Sequence, residues 1–418
     1  MPTPYHINMH THCFTLAHVP EEFFNSLIGG NRFLRVSKLR RASVNSFIVW
    51  LFTRSVTIGL VGWFSDSAAK QLSRLKGLLK FRKVNTQVAL LENLKKNYEE
   101  WLPDSNFKFV PLAMDMEYME AGMPDRIYPK QLAELKQIKA DPNWKDTIFP
   151  FVFADPRRDD VLNIVKDCIE DVAAPFSGIK LYPAMGYFPF DKNLKEVYEY
   201  AIQKNLPLVT HCIDGSVYYR KAPEKDQRHP ITNQEMYGKN ADEFQLNWTH
   251  PLNYECLLNH QVLKTFWGPD APDLSQLKIC LGHFGGESEW LTKRTLTNFL
   301  RRRAVKQVAD INYLDIDHPW FGSDKYKWLL IIIDLLRKYT NVYADISFTL
   351  HDKAIYTELK ELLKDETINK KILFGTDYYV VASVADENDL LKLFKTALND
   401  DKLFDLIAYE NPKRFMGW

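Results

Sequence analysis

Eight short apolar runs, rich in β-branched and aromatic residues, constrain this chain more than any other feature. They are Tyr5–Met9, Phe107–Met114, Ile148–Ala154, Gly178–Tyr182, Leu206–Thr210, Leu277–Gly282, Asn341–Ile346 and Ile372–Gly375. Between several of them lie segments with helical period: Pro129–Ala140, Val161–Ala173, Leu194–Lys204, Trp328–Tyr339 and Ile355–Lys364. Near-continuous apolar strands alternating with helices mean a parallel sheet covered by helices. Eight such units predict an α/β fold, a (β/α)8 TIM barrel, closed by a helix over Asp389–Asn399 and the tail Leu403–Trp418.

Three spacings exceed what one crossover helix needs: Ala17–Pro103, Ile213–Gln276 and Phe284–Tyr339. They are expected to be long insertions after strands 1, 5 and 6, on the barrel face where active sites are built. With no Ser- or Gly-rich linker and no internal repeat, 1–418 is expected to form a single domain carrying a mostly helical basic insertion over 17–103. The net charge of +1 conceals a division. Residues 31–83 hold twelve Lys or Arg against one acid, Asp66, so that stretch is +11 and the rest of the chain −10. The expected use of this basic surface is packing against the acidic barrel or a second subunit, hence a homo-oligomer, most simply a homodimer. No nucleic-acid motif accompanies it, and no nucleic-acid partner is expected.

The run from Phe47 to Phe64 has eighteen residues and one charge, about the threshold for a membrane span. A single span there would place strand 1 across the membrane from the other seven, so a buried helix or hairpin is expected and no transmembrane segment. Five cysteines, odd in number and widely spaced without a CxxC, suggest neither a disulfide framework nor a cysteine zinc site. A reducing, cytoplasmic location is expected.

The strand ends carry the chemistry. Strand 1 ends in His10-Thr11-His12, and side chains two apart on a strand share a face. Strand 5 ends in Thr210-His211-Cys212, strand 6 in Gly282-His283, and strand 8 in Gly375-Thr376-Asp377. Histidines and a carboxylate on one rim suit a divalent cation, zinc or another borderline ion, with positions left open for water and substrate. Lys180 and Tyr182 share one face of strand 4. Tyr182, Tyr187, Tyr378 and Tyr379 fit an aromatic substrate pocket and ordinary packing about equally. Cys13 and Cys212, offset by one from the histidines, are expected in the barrel wall.

These residues resemble the amidohydrolase superfamily, in the amidohydrolase-related (amidohydrolase 2) branch that includes aminocarboxymuconate-semialdehyde decarboxylase. The resemblance rests on HTH at 10–12, GIKLYP at 178–183, THC at 210–212, LGHFGG at 281–286, LFGTDYY at 373–379 and Asn411-Pro412-Lys413-Arg414-Phe415. Thr249-His250-Pro251-Leu252-Asn253-Tyr254 is similar to the family's approach to strand 6. The resemblance implies that His10, His12 and His211 ligate one or two metal ions, with Asp377 as ligand and proton carrier and His283 acting on substrate or water. It also implies, as one alternative, that Lys180 is carboxylated and bridges two metals. The others are a cation that binds a substrate carboxylate and an ion pair with Asp345. The expected activity is metal-dependent hydrolysis of an amide, ester or related bond in a small molecule, with a carboxylated or aromatic substrate expected. The alternative is non-oxidative decarboxylation at the same site.

Overall fold

A computed structural model describes residues 5–20, 80–81, 83–213, 217, 219, 221, 241–290 and 328–418, with the side chains of 241–244 excepted. Most of the basic segment 31–83, the apolar run 47–64 and residues 291–327 lie outside the described residues.

Eight parallel strands form the centre: β1 (Tyr5–Thr11), β2 (Asn106–Pro111), β3 (Phe151–Phe153), β4 (Gly178–Leu181), β5 (Pro207–His211), β6 (Lys278–Gly282), β7 (Val342–Asp345) and β8 (Ile372–Leu373). β1 pairs with β2, and β3 to β8 pair in sequence order. Short parallel bridges supply the two remaining junctions. Phe109–Ile148 and Leu112–Phe151 join β2 to β3, while Thr11–Tyr378 and the 2.9 Å hydrogen bond from Met9 N to Phe374 O join β8 to β1. The sheet therefore closes on itself, as the eight runs predict.

The principal helices are α1 (Gln87–Trp101), α2 (Tyr128–Ala140), α3 (Val161–Ile169), α4 (Lys195–Gln203), α5 (Ala241–Thr249), α6 (Leu252–Leu258), α7 (His260–Trp267), α8 (Trp328–Lys338), α9 (Tyr356–Leu362), α10 (Glu387–Leu398), α11 (Asp401–Asp405) and α12 (Asn411–Met416). α1 starts where Thr86 accepts the Ala89 N–H, and it buries Leu90, Leu91, Leu94, Tyr98 and Trp101 at helical spacing. It packs against α2 and α10, so the end of the 17–103 segment is the barrel's own first helix. α3 stops four residues short of the expected Ala173. There the Asp171 carboxylate accepts the Ala173 and Ala174 N–H groups, and Pro175 follows. Among the described residues no helix is long and apolar enough to cross a membrane.

Alternate positions on the strands fill the barrel interior with Ile7, Met9, Val110, Leu112, Phe151, Val209, Cys280, Tyr343 and Leu373, and Phe415 and Met416 of α12 join this cluster. Continuing the same alternation puts Lys180, His211, Gly282, Asp345 and Gly375 one layer higher, at the carboxyl ends. β1 breaks the pattern. Its register against β2 shifts between Asn8 and Thr11, where three residues' advance on β1 matches two on β2. This bulge changes the strand's parity, so His10 and His12 join the inward set already used by Ile7 and Met9. An unbroken β1 would aim Thr11 and Cys13 inward instead.

Candidate metal centre

His10, His12 and Asp377 each bring one ligand atom within 4.8 Å of the others, and all three are buried. His12 Nε2 lies 3.2 Å and His10 Nε2 3.6 Å from Asp377 Oδ1. The opposite ring nitrogens are committed to fixed acceptors: His12 Nδ1 donates to the Leu112 carbonyl at 3.1 Å, and His10 Nδ1 to Asp345 Oδ2 at 2.9 Å. Each ring thus presents its Nε2 to Asp377. Asp377 Oδ1 is buried without a hydrogen-bond partner among the described residues. Lone pairs gathered this closely in a dry site repel unless a cation lies between them, which is the chemistry of a divalent-ion site.

Two glycines make the space. A Cβ on Gly375 would lie 2.8 Å from His10 Cβ, and one on Gly282 would lie 3.0 Å from His10 Cε1 and 2.6 Å from Thr210 O. Asp377 and His283 both adopt left-handed backbone, with φ of 63° and 66°, sparsely populated for non-glycine residues. Asp377 N donates to His10 O at 2.8 Å, which ties that conformation to β1.

His211 and His283 sit together. His283 Nδ1 meets the Ser347 carbonyl at 3.2 Å and Ser347 Oγ at 2.9 Å, so it carries that ring's proton. Its Nε2 accepts from His211 Nδ1 at 3.0 Å. The outer nitrogen of His211, Nε2, is buried without a hydrogen-bond partner among the described residues. Tyr182 stacks on the His211 ring, centroids 3.9 Å apart and planes 14° from parallel. Thr210, the residue before His211, is held by Tyr254 through a hydroxyl–hydroxyl hydrogen bond.

Burial, reinforced by Lys180 and His12, holds His10 well below the ordinary histidine range. Burial and the neighbouring His283 do the same to His211. Burial, with His10 beside it, lowers His283 to about 3. Neutral imidazoles are the form that ligates a metal. Lys180 is fully buried; its Nζ lies 3.4 Å from His10 Nε2 and 5.6 Å from the Tyr182 ring centre. Burial lowers it to about 8, against the raising effect of Asp345 and Asp377.

The sequence-predicted residues thus gather on one rim: His10, His12 and Asp377 as a compact triad with Lys180 above His10, and His211, Tyr182 and His283 as an adjoining stack. Cys13 and Cys212 are buried, as expected for the wall. Tyr187 is a core strut, accepting from Tyr182 N at 2.7 Å and donating to Ala154 O at 3.3 Å. Sequence reasoning missed Ser347 and the two glycines, and it met Asp345 only as a partner for Lys180. The usable signal was position: Asp345 and Gly375 fall at strand ends, at the same inward parity as Lys180.

Residues 314–418, which supply β7, β8, Asp345 and Asp377, match the family model described as Amidohydrolase. No curated protein matches the chain. Among solved structures, 4-oxalomesaconate hydratase from Rhodopseudomonas palustris is 12% identical, with a TM-score of 0.48 over 99% of this chain and 95% of that one. 5-Carboxyvanillate decarboxylase from Sphingomonas paucimobilis is 14% identical, with a TM-score of 0.42 over 78% of this chain and 82% of that one. A zinc-bound amidohydrolase from Burkholderia multivorans is 9% identical, with a TM-score of 0.47 over 82% and 91%.

Proposed function

We propose that this enzyme of the amidohydrolase superfamily is a metal-dependent hydrolase, cleaving an amide, ester or related bond of a small molecule. The observation that carries the reading is the buried Asp377 Oδ1, without a hydrogen-bond partner among the described residues, facing the Nε2 atoms of His10 and His12. His10, His12, His211 and Asp377 would hold a divalent ion, and three imidazoles with one carboxylate suit zinc best. When bound, such an ion supplies a water of pKa about 7 and polarises the substrate carbonyl.

The chain's own residues then divide the remaining work. Asp377 is the proton carrier beside the site. Lys180 offers a buried positive charge to a substrate carboxylate, and the Tyr182 ring offers a flat apolar face to an aromatic one. His283 favours hydrolysis over decarboxylation. Its only N–H points to Ser347 and its Nε2 is taken by His211, so it has no proton to deliver to a substrate carbon. The five free, buried cysteines support a reducing, cytoplasmic location. The opposite charges of residues 31–83 and the remaining chain support a homo-oligomer built on that segment.

The test is metal removal with product analysis. Treatment with a chelator should abolish turnover of a panel of small amides, esters and lactones, and zinc should restore it. In water enriched in oxygen-18, one label should enter the product. Carbon dioxide release from carboxylated aromatics without label incorporation would overturn the hydrolytic reading.

A further inference from the structure

We propose that Asp345 is a positioning residue that sets the proton positions of three histidines, and that it is not itself a metal ligand. The inference rests on the metal-centre reading above. His10, His283 and Asp345 also bring ligand atoms within 4.8 Å of one another and at first sight form a second ion site. The carboxylate, however, is already saturated. Oδ1 accepts from His283 N at 3.0 Å, Ser347 N at 3.0 Å and the Ser347 hydroxyl. Oδ2 accepts from His10 Nδ1 at 2.9 Å and Cys280 Sγ at 3.5 Å. A carboxylate has about four lone-pair sites, so nothing remains for a cation.

A group that only accepts dictates where its neighbours' protons lie. On one side, His10 must carry its proton on Nδ1, leaving the Nε2 lone pair toward Asp377. On the other, the Ser347 hydroxyl spends its proton on Asp345, so its oxygen accepts from His283 Nδ1. His283 Nε2 is therefore bare and accepts from His211 Nδ1. That leaves the lone pair of His211 on Nε2, the buried atom without a hydrogen-bond partner among the described residues. One fully buried carboxylate thus turns His10 directly, and His211 through Ser347 and His283, into the tautomer that ligates through Nε2. Carboxylates behind metal-binding imidazoles act this way generally, and their loss costs about 10–100-fold in metal affinity.

The experiment uses the full-length, metal-free protein labelled with 15N-histidine. Long-range proton–nitrogen correlation spectra, assigned with single-histidine variants, should show the Nδ1–H tautomer for His10, His211 and His283. In Asp345→Asn the amide oxygen keeps the three Oδ1 donors and the NH2 faces His10, so His10 should switch to the Nε2–H tautomer. Zinc affinity, read by competition with a chromophoric chelator, should fall about 10–100-fold. Ser347→Ala keeps the carboxylate on His10, so His10 should retain its tautomer and zinc affinity should fall less. An Nε2–H tautomer at His10 in the unaltered protein would overturn the proposal, whether or not Asp345→Asn folds. A folded Asp345→Asn protein with unaltered zinc affinity would overturn it equally. Zinc failing to bind the unaltered protein while His10 shows Nδ1–H would instead sink the metal-centre reading and leave the tautomer assignment standing.

Discussion

His211 donates its Nδ1 proton to Nε2 of His283 across 3.0 Å, so the two rings share one proton rather than acting as separate groups. His283→Gln should preserve an acceptor for that proton, leaving zinc content and kcat largely unchanged, because both nitrogens of His283 are already engaged by Ser347 and His211. His211→Ala, by contrast, should lose zinc. Zinc content from elemental analysis and steady-state kinetics on the same preparations check both. A large fall in kcat with zinc retained would place His283 in the chemistry and overturn this reading.

Gly375 lies against His10 so closely that any side chain displaces the imidazole. A Cβ there would be 2.8 Å from His10 Cβ, 3.1 Å from His10 N and 3.3 Å from Ser347 Cβ, all atoms with little room to yield. Gly375→Ala is therefore expected to destabilise the protein by about 1–3 kcal/mol, the usual cost of overpacking, and to weaken zinc binding. Urea unfolding and chelator competition read the two effects. Unchanged zinc affinity would mean that β8 moves aside and His10 does not.

Glu387 gives the barrel a pH dependence of its own. Its Oε1 accepts from Thr376 Oγ1 at 2.7 Å, and Thr376 Oγ1 accepts from Asn8 Nδ2 at 2.9 Å. Burial raises Glu387 from 4.5 to about 8, against the lowering effect of hydrogen bonds from Thr376 and Tyr98. The folded state therefore holds a proton that the unfolded chain has released above pH 4.5. The associated stability is fully present below pH 4.5 and is lost as pH rises to about 8. Within that window the slope is about 1.4 kcal/mol per pH unit. Glu387→Gln, neutral throughout, should lack this component, so its urea midpoint should fall less than that of the unaltered protein between pH 5 and pH 8. Parallel curves for the two proteins would show that Glu387 does not titrate there.

By itself the sequence determined the barrel and most of the rim. Strand period is local: alternation along Gly178–Leu181 or Pro207–His211 tells which side chains share a face without knowledge of a neighbouring strand. That placed Lys180, His211 and Asp377 at strand ends, and the resemblance attached roles to them. β1 shows where local reading stops. His10 and His12 share a face by period, but that this face is the interior depends on the bulge between Asn8 and Thr11. A bulge is set by how β1 pairs with β2, about a hundred residues away. The contact between His211 and His283, and the hub at Asp345 that gathers His10, Cys280 and His283, likewise join residues far apart in the chain. Proton positions follow from which acceptor each ring nitrogen meets, and only the closed barrel brings those acceptors into reach.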